Sequence, residues 1–119
     1  MNVAVLGASN KPDRYSYKAV KRLEGHGHAV FPVHPKLTEI EGIKVYASLS
    51  DVPEVLDTIT VYLSPENSDK VADELVAANV KRVIFNPGTE NPALIARLEA
   101  QGVEVIEACT LVMLGTGQF

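Results

Sequence analysis

Short apolar runs rich in β-branched residues recur along the chain, and they alternate with segments whose apolar residues have helical spacing. Such runs are typical of strands that are buried on both faces of a parallel sheet. Parallel neighbours need a long crossover connection, which the helical segments supply, so the pattern predicts right-handed βαβ units. The predicted strands span residues 3–6, 29–33, 58–63, 82–85 and 103–106.

One segment, residues 37–53, interrupts this alternation. It contains Gly42, a short strand-like run at 43–46 and a Ser-Asp-Val-Pro sequence in place of a full helix. We expect a short edge strand there, followed by a single helical turn. The chain is therefore predicted to form one domain, residues 1–119, of the doubly wound, Rossmann-like α/β class. The expected strand order is 3-2-1-4-5-6, with a short third strand.

Cap and breaker residues mark the ends of the predicted helices. Ser16 is expected to cap the first helix, with Gly25 just past its end. Ser64 and Asn91, each followed by a proline, are expected to cap the second and third helices. The apolar tail at 111–119 is expected to pack against the rest of the domain, and a self-association surface is the alternative.

Composition and charge argue against several classes of protein. No apolar run approaches the ~20 residues that a membrane span needs, and the N-terminus lacks a signal-peptide pattern, so a cytoplasmic location is expected. A net charge of −4 argues against a broad nucleic-acid footprint. Cys109 is the single cysteine, and no carboxylate or thiol accompanies His26 and His28 in sequence. Neither a disulfide nor a metal site is expected.

The sharp turn after the first strand carries the residue types of an anion site. Gly7 and Ala8 allow a tight bend, and the residues after them open a helix, whose N-terminal N–H groups and dipole favour an anion. Lys11, Arg14 and Lys18 supply nearby positive charge, and the hydroxyls of Ser9, Tyr15, Ser16 and Tyr17 supply further donors. A plain glycine turn with solvated basic residues is the alternative interpretation.

The second strand ends differently from that of a typical NAD site. The G-x-G-x-x-G fingerprint is absent, because Ser9 and Pro12 occupy its later glycine positions. The sequence "FPVHPK" also ends in a lysine where an NAD site has an acid for the ribose hydroxyls. Lys36 suits a ribose phosphate, and an ordinary surface lysine is the alternative. A pyrophosphate and a separate ribose phosphate together point to NADP or coenzyme A.

Two further loops belong to the same edge of the sheet, where ligands of doubly wound folds bind. "YLSPEN" is expected to wall one side of the crevice between the loops that follow Leu6 and Leu63. "FNPGTEN" places Asn86, Pro87 and Gly88 where backbone groups would contact a linear amide chain. Taken singly, both loops are ordinary turns and helix starts.

Five stretches, in this order and with short spacers, resemble the small stand-alone CoA-binding protein family. They are "VLGASNKPDRYSYKAVKRL", "GHAVFPVHPK", "GIKVYASLSDVP", "VYLSPEN" and "VIFNPGTEN". The domain is similar to the N-terminal nucleotide-binding domain of the succinyl-CoA ligase alpha subunit, and the resemblance covers nearly the whole chain. It implies a Rossmann-like fold and coenzyme A or an acyl-CoA as the ligand. The ligase reaction is not implied, because it needs a phosphorylated histidine from a further domain and a partner subunit.

Carried onto the matching positions, the resemblance implies a binding site made from four loops. Ser9, Asn10, Lys11, Arg14 and Ser16 would contact the CoA pyrophosphate. Lys36 would lie near the phosphorylated adenosine, with His34 and Pro35 shaping that edge. Tyr62, Leu63, Ser64 and Pro65 would line the crevice. Asn86, Pro87 and Gly88 would meet the pantetheine arm.

The expected function is non-catalytic binding of coenzyme A or an acyl-CoA by a monomer or small homo-oligomer. No Ser-His-Asp or Cys-His arrangement is legible in the sequence. Two alternatives stay open: a component of an NADP-dependent or acyl-CoA-processing enzyme, and a regulatory protein whose contacts with a protein partner respond to coenzyme A. Cys109 ends the last strand, where it would either meet the CoA thiol as a mixed disulfide or serve as a small buried side chain.

Overall fold

Five parallel strands form the central sheet, and each overlaps one of the predicted apolar runs. The computed structural model describes all 119 residues. Its strands are β1 (Asn2–Leu6), β2 (Ala29–Val33), β3 (Glu39–Ile40), β4 (Ile43–Lys44), β5 (Thr58–Val61), β6 (Arg82–Phe85) and β7 (Glu104–Glu107). The order in the parallel sheet is β2-β1-β5-β6-β7, and β3 and β4 form a separate antiparallel pair.

Helices cover both faces of this sheet. They are α1 (Tyr15–Gly25), α2 (Pro65–Lys70), α3 (Ala72–Ala77), α4 (Pro92–Ala100) and α5 (Thr110–Gly115). Alternate residues of β1 point to opposite faces, so Val3 and Val5 pack with α1 and α5, whereas Ala4 belongs to the apolar cluster of α3 and α4. The doubly wound α/β fold predicted from the sequence is confirmed.

The predicted third strand is reduced to a single bridge. Tyr46 donates its N–H to the Pro32 carbonyl at 2.9 Å and accepts from the His34 N–H at 3.0 Å, which joins it to the end of β2. The preceding residues Ile43–Lys44 pair instead with Glu39–Ile40. The reason is the turn between them, because Glu41 and Gly42 both have positive φ, as a tight hairpin requires. The short third strand of the expected order 3-2-1-4-5-6 is therefore absent from the main sheet, and the other five strands keep their expected order.

Two of the three predicted helix caps are correct. The Ser64 hydroxyl accepts from the Asn67 N–H at 3.3 Å to begin α2, and the Asn91 side chain accepts from the Leu94 N–H at 3.2 Å to begin α4. The prediction for Ser16 is wrong. A turn closed by the Arg14 N–H starts α1 two residues earlier than expected, so Ser16 is buried within its first turn.

The C-terminal segment packs against the domain, as predicted. Met113 and Leu114 of α5 are buried, and the Phe119 ring contacts His28 edge-on and lies 4.6 Å from the Arg82 guanidinium carbon. Gly25, expected beyond the end of α1, is instead its last residue. None of the helices has the length and apolar content needed to cross a membrane.

Candidate functional site

Two adjoining cavities open at the carboxyl ends of β1, β2 and β5. Neighbouring loops diverge there, because α1 packs on one face of the sheet and α3 on the other, which is where doubly wound folds bind ligands. One cavity, about 530 Å³, includes Lys11, Arg14 and Lys36 and is called the cationic cavity. The other, about 360 Å³, includes Leu6, Val33 and Val71 and is called the apolar cavity. Gly7, His34 and Leu63 line both.

Most of the predicted site residues converge on these cavities. The cationic cavity is lined by Gly7, Ala8, Ser9, Asn10, Lys11, Arg14, Ser16, His34, Lys36, Tyr62 and Leu63. Pro35 lines the apolar cavity. Ser64, Pro65, Asn86, Pro87 and Gly88 line neither.

Gly7 brings two loops into contact. Its φ of +89° is in the region that favours glycine, and a Cβ on it would lie 3.0 Å from the Tyr62 carbonyl oxygen and 2.9 Å from Leu63 Cδ2. The N–H groups of Gly7 and Ala8 both donate to the Val33 carbonyl at 3.1 Å. These two donors are therefore engaged, and the unbonded N–H groups of the turn begin at Ser9.

The N-terminus of α1 differs from those of α2 and α4. Arg14 occupies its N-cap position in an extended conformation, no side chain caps the helix, and its first turn holds no acidic residue. By contrast, Ser64 caps α2 and Asn91 caps α4. The first N–H groups of this eleven-residue helix therefore have no capping side chain. These groups and the positive end of the helix dipole face the cationic cavity, and this arrangement favours an anion.

Side chains add three positive charges to the same cavity. Lys11, Arg14 and Lys36 all line it, no acidic residue does, and none of the three is in an ion pair. Lys18, expected to contribute charge, instead lies over the Tyr15 ring at 5.4 Å and is not among the lining residues. The cavity is therefore a local concentration of positive charge on a chain whose net charge is −4.

The apolar cavity brings in Lys70 and Glu74, which the sequence did not reveal, beside Asn67, which ends the YLSPEN stretch that was predicted to wall the crevice. Asn67, Lys70 and Glu74, from α2 and α3, form its polar side. The Glu74 carboxylate accepts hydrogen bonds from the N–H groups of Leu49 and Ser50, which open the single 3-10 turn at Leu49–Asp51. The carboxylate therefore ties α3 to the segment that carries Ala47 and Ser48 on the opposite wall. Only the helical spacing of Asn67, Lys70 and Glu74 hints at this in the sequence.

The Asn86 side chain is engaged inside the protein. Its amide NH₂ donates to Thr60 Oγ1 at 2.7 Å and to the Val61 carbonyl at 2.9 Å, and its Oδ1 accepts from the Thr110 N–H at 2.8 Å. The Thr60 and Thr110 hydroxyls also pair, at 2.7 Å. The exposed residues Pro87 and Gly88 are the part of this loop that is left to contact a ligand, and the Gly88 N–H already donates to Glu90 Oε1 at 2.9 Å.

Tyr62 lines the cationic cavity, yet its hydroxyl is directed into the protein. The oxygen is buried and makes no hydrogen bond. Burial raises the pKa of Tyr62 to about 12. The nearby hydroxyls of Thr110 and Thr60 oppose part of this pKa shift, although neither has hydrogen-bond geometry with the Tyr62 oxygen. The phenol therefore stays neutral at physiological pH.

Cysteine, histidine and acidic side chains do not assemble elsewhere. Cys109 is half-buried at the N-cap of α5. His28 lies 3.3 Å from the N-terminal amine, and desolvation by burial, followed by the charge of that amine, lowers its pKa. No group of three or more histidine, cysteine, aspartate or glutamate side chains has a geometry that could hold a metal ion.

The chain is similar to known proteins over most of its length. It is 29% identical to the Bacillus subtilis protein YneT over 87% of this chain and 77% of that protein. A crystal structure of an uncharacterized protein, 39% identical, has a TM-score of 0.89 and covers 99% of this chain and 97% of that one. An ADP-forming acetate–CoA ligase of Methanocaldococcus jannaschii is 31% identical over 71% of this chain, a match that spans 12% of the ligase.

A family profile described as "CoA binding domain" matches residues 1–115. That range contains both cavities and all the loops that form them. The family resemblance noted in the sequence is thus confirmed. The chain belongs to the CoA binding domain family.

Proposed function

We propose that this protein binds coenzyme A or an acyl-CoA in the two adjoining cavities, without catalysing its turnover. The observation that carries the proposal is the cationic cavity: three unpaired basic side chains and an uncapped helix N-terminus face one space with no acid. Such a space is suited to a ligand with several negative charges. Each cavity also lies within the range of about 300–1,000 Å³ that is usual for small-molecule sites.

The pyrophosphate of the ligand is assigned to the turn after β1. Lys11 and Arg14 lie at this turn, and the free N–H groups of Ser9 and Asn10 precede the open end of α1. In doubly wound folds the pyrophosphate occupies the first strand-to-helix turn and the ribose lies near the end of the second strand. The Lys36 ammonium, just after β2, is therefore assigned to the phosphate on the ribose.

The adenine ring is assigned to the apolar cavity. Leu6, Val33, Leu63 and Val71 supply apolar walls next to the end of β2, where the ribose is placed. The pantetheine arm would then leave in the other direction, past the exposed residues Ser64 and Pro65 and the loop of Asn86–Gly88. That route offers open surface, so it accommodates arms with or without an acyl group.

Binding without turnover is supported by the state of the polar groups that line the cavities. Tyr62 stays protonated, because its pKa is about 12. His34 Nδ1 is already occupied by two backbone donors, and the Ser9 hydroxyl accepts from the Lys11 N–H. No base is therefore paired with a nucleophile, which hydrolysis or acyl transfer would require.

NADP carries the same two groups, a pyrophosphate and a ribose phosphate, and is the competing ligand. Isothermal titration of the protein with coenzyme A, acetyl-CoA, NADP⁺ and NADPH separates the two proposals. We expect coenzyme A and acetyl-CoA to bind with similar affinity, and more tightly than either nicotinamide nucleotide. Tighter binding of NADPH, or turnover of NADPH in the presence of a carbonyl substrate, would replace coenzyme A with NADP.

A further inference from the structure

We propose that His34 is a positioning residue: its Nδ1 fixes the turn that holds Lys36, and so sets the preference for a ligand with a ribose phosphate. The effect on ligand preference rests on the proposed function. The role of Nδ1 in fixing the turn, which is the structural half of the inference, depends on no ligand. His34 lines both cavities, so a direct contact with the ligand is the competing explanation.

The His34 imidazole closes the turn that follows β2. Its Nδ1 accepts from the Lys36 N–H at 3.0 Å and from the Leu37 N–H at 3.2 Å. Pro35, between His34 and Lys36, has a fixed φ and no N–H, so it cannot donate a backbone hydrogen bond of its own. One side-chain atom therefore organises both residues on the far side of the proline.

The turn is anchored at both ends. His34 donates its own N–H to the Tyr46 carbonyl at 3.0 Å, which fixes it to the bridge beside β2. Leu37 packs against the apolar cluster beneath α1. Lys36 lies between these anchors, and within the turn the hydrogen bonds from the Lys36 and Leu37 N–H groups to Nδ1 set the direction of its backbone. Without these two bonds the turn would be mobile, and the exposed Lys36 side chain would lose its fixed position.

The two donors also assign the tautomer of the neutral ring. A nitrogen that accepts from two N–H groups carries no proton, so the neutral imidazole has its hydrogen on Nε2. Histidine thus acts here as a short acceptor at the Nδ1 position. Asparagine reproduces an acceptor at that distance from Cα, whereas glutamine places its amide where Nε2 lies.

Amide hydrogen exchange of the unliganded protein tests the structural half. We compare wild type, His34→Asn and His34→Gln. We expect the Lys36 and Leu37 amides to exchange about tenfold faster in His34→Gln and to stay within about threefold of wild type in His34→Asn. Unchanged exchange in His34→Gln would overturn the inference, whatever the ligand proves to be. The amides of β5 serve as the control for folding.

Titration with coenzyme A and dephospho-CoA tests the functional half. We expect His34→Gln to lose most of the wild-type preference for coenzyme A over dephospho-CoA, to below about threefold, because its affinity for coenzyme A falls more than its affinity for dephospho-CoA. His34→Asn should keep the preference. Equal losses for both ligands, or retention in His34→Gln with loss in His34→Asn, would indicate a direct Nε2 contact and overturn the positioning role. A wild-type protein that binds neither ligand would refute the proposed function, while the exchange result would still report on the turn.

Discussion

Gly7 and Gly88 share a φ of +89° but differ in what surrounds them, which makes their alanine variants a matched pair. At Gly88 a Cβ would meet nothing within 4 Å. At Gly7 it would lie 2.9 Å from Leu63 Cδ2 and 3.0 Å and 3.1 Å from the carbonyl oxygen and carbon of Tyr62. Leu63 can move, but the Tyr62 carbonyl belongs to the chain directly after β5. The backbone of the site must therefore shift in Gly7→Ala.

The expected cost separates into two parts. A side chain in the left-handed region costs about 1–2 kcal/mol, which both variants incur. Forcing an extra carbon into a packed contact costs about 1–3 kcal/mol more, and only Gly7→Ala incurs it. We expect the free energy of unfolding to fall by about 1–2 kcal/mol in Gly88→Ala and by about 2–5 kcal/mol in Gly7→Ala.

Urea denaturation at neutral pH measures both values. Equal m-values among the three proteins would show that the same surface is exposed on unfolding, so that midpoints can be compared directly. Two variants that agree within about 0.5 kcal/mol would refute the close approach of the β1 and β5 loops, because that approach is the only difference assigned between them.

Two further substitutions test the polar interior beneath the site. Tyr62→Phe removes a buried hydroxyl that has no hydrogen-bond partner, so the free energy of unfolding at pH 7 should be unchanged or should rise by at most about 3 kcal/mol. The folded pKa of Tyr62 is raised from 10.0 to about 12, so the wild type should lose about 2–3 kcal/mol of unfolding free energy between pH 10 and 12. Tyr62→Phe should not show this loss. Urea denaturation of both proteins across that pH range measures the difference. An identical alkaline decline in both proteins would contradict the assigned pKa. Asn86→Ala leaves the Val61 carbonyl and the Thr110 N–H without their side-chain partner, and it should lower the unfolding free energy by about 2–4 kcal/mol; a loss below about 1 kcal/mol would mean that the loop tolerates water there.

The elements that depend on local pattern could be predicted from the sequence. The runs at 29–33 and 82–85 match β2 and β6 residue for residue. In β6 the consecutive residues Val83, Ile84 and Phe85 are buried, as in a strand covered on both faces, whereas β2 is an edge strand that is buried only at its carboxyl end. The convergence of the turn at Gly7 with Lys36 followed from topology, since carboxyl ends of parallel strands meet at one edge. Neither inference needed a side-chain contact.

The elements that depend on contacts between distant residues could not be predicted. Glu74 meets Leu49 and Ser50 across 25 and 24 residues, and only the packing of α3 brings them together. The Asn86 side chain accepts a hydrogen bond from Thr110, 24 residues away. The sequence around Asn86 therefore predicted a ligand-binding loop, whereas the Asn86 amide is engaged in hydrogen bonds within the fold. Ser16 failed as a cap because the turn at Arg14 starts the helix earlier.

The pairing of Lys36 with the ribose phosphate is the central claim, and calorimetric titration with coenzyme A and dephospho-CoA tests it most directly. A charge-assisted contact of about 1.5–3 kcal/mol predicts that wild type binds coenzyme A about 10- to 150-fold more tightly. Lys36→Gln should abolish this preference, whereas Lys11→Gln should weaken both ligands alike, because both contain the pyrophosphate. Equal affinities in wild type, or a preference that survives in Lys36→Gln, would contradict the assignment.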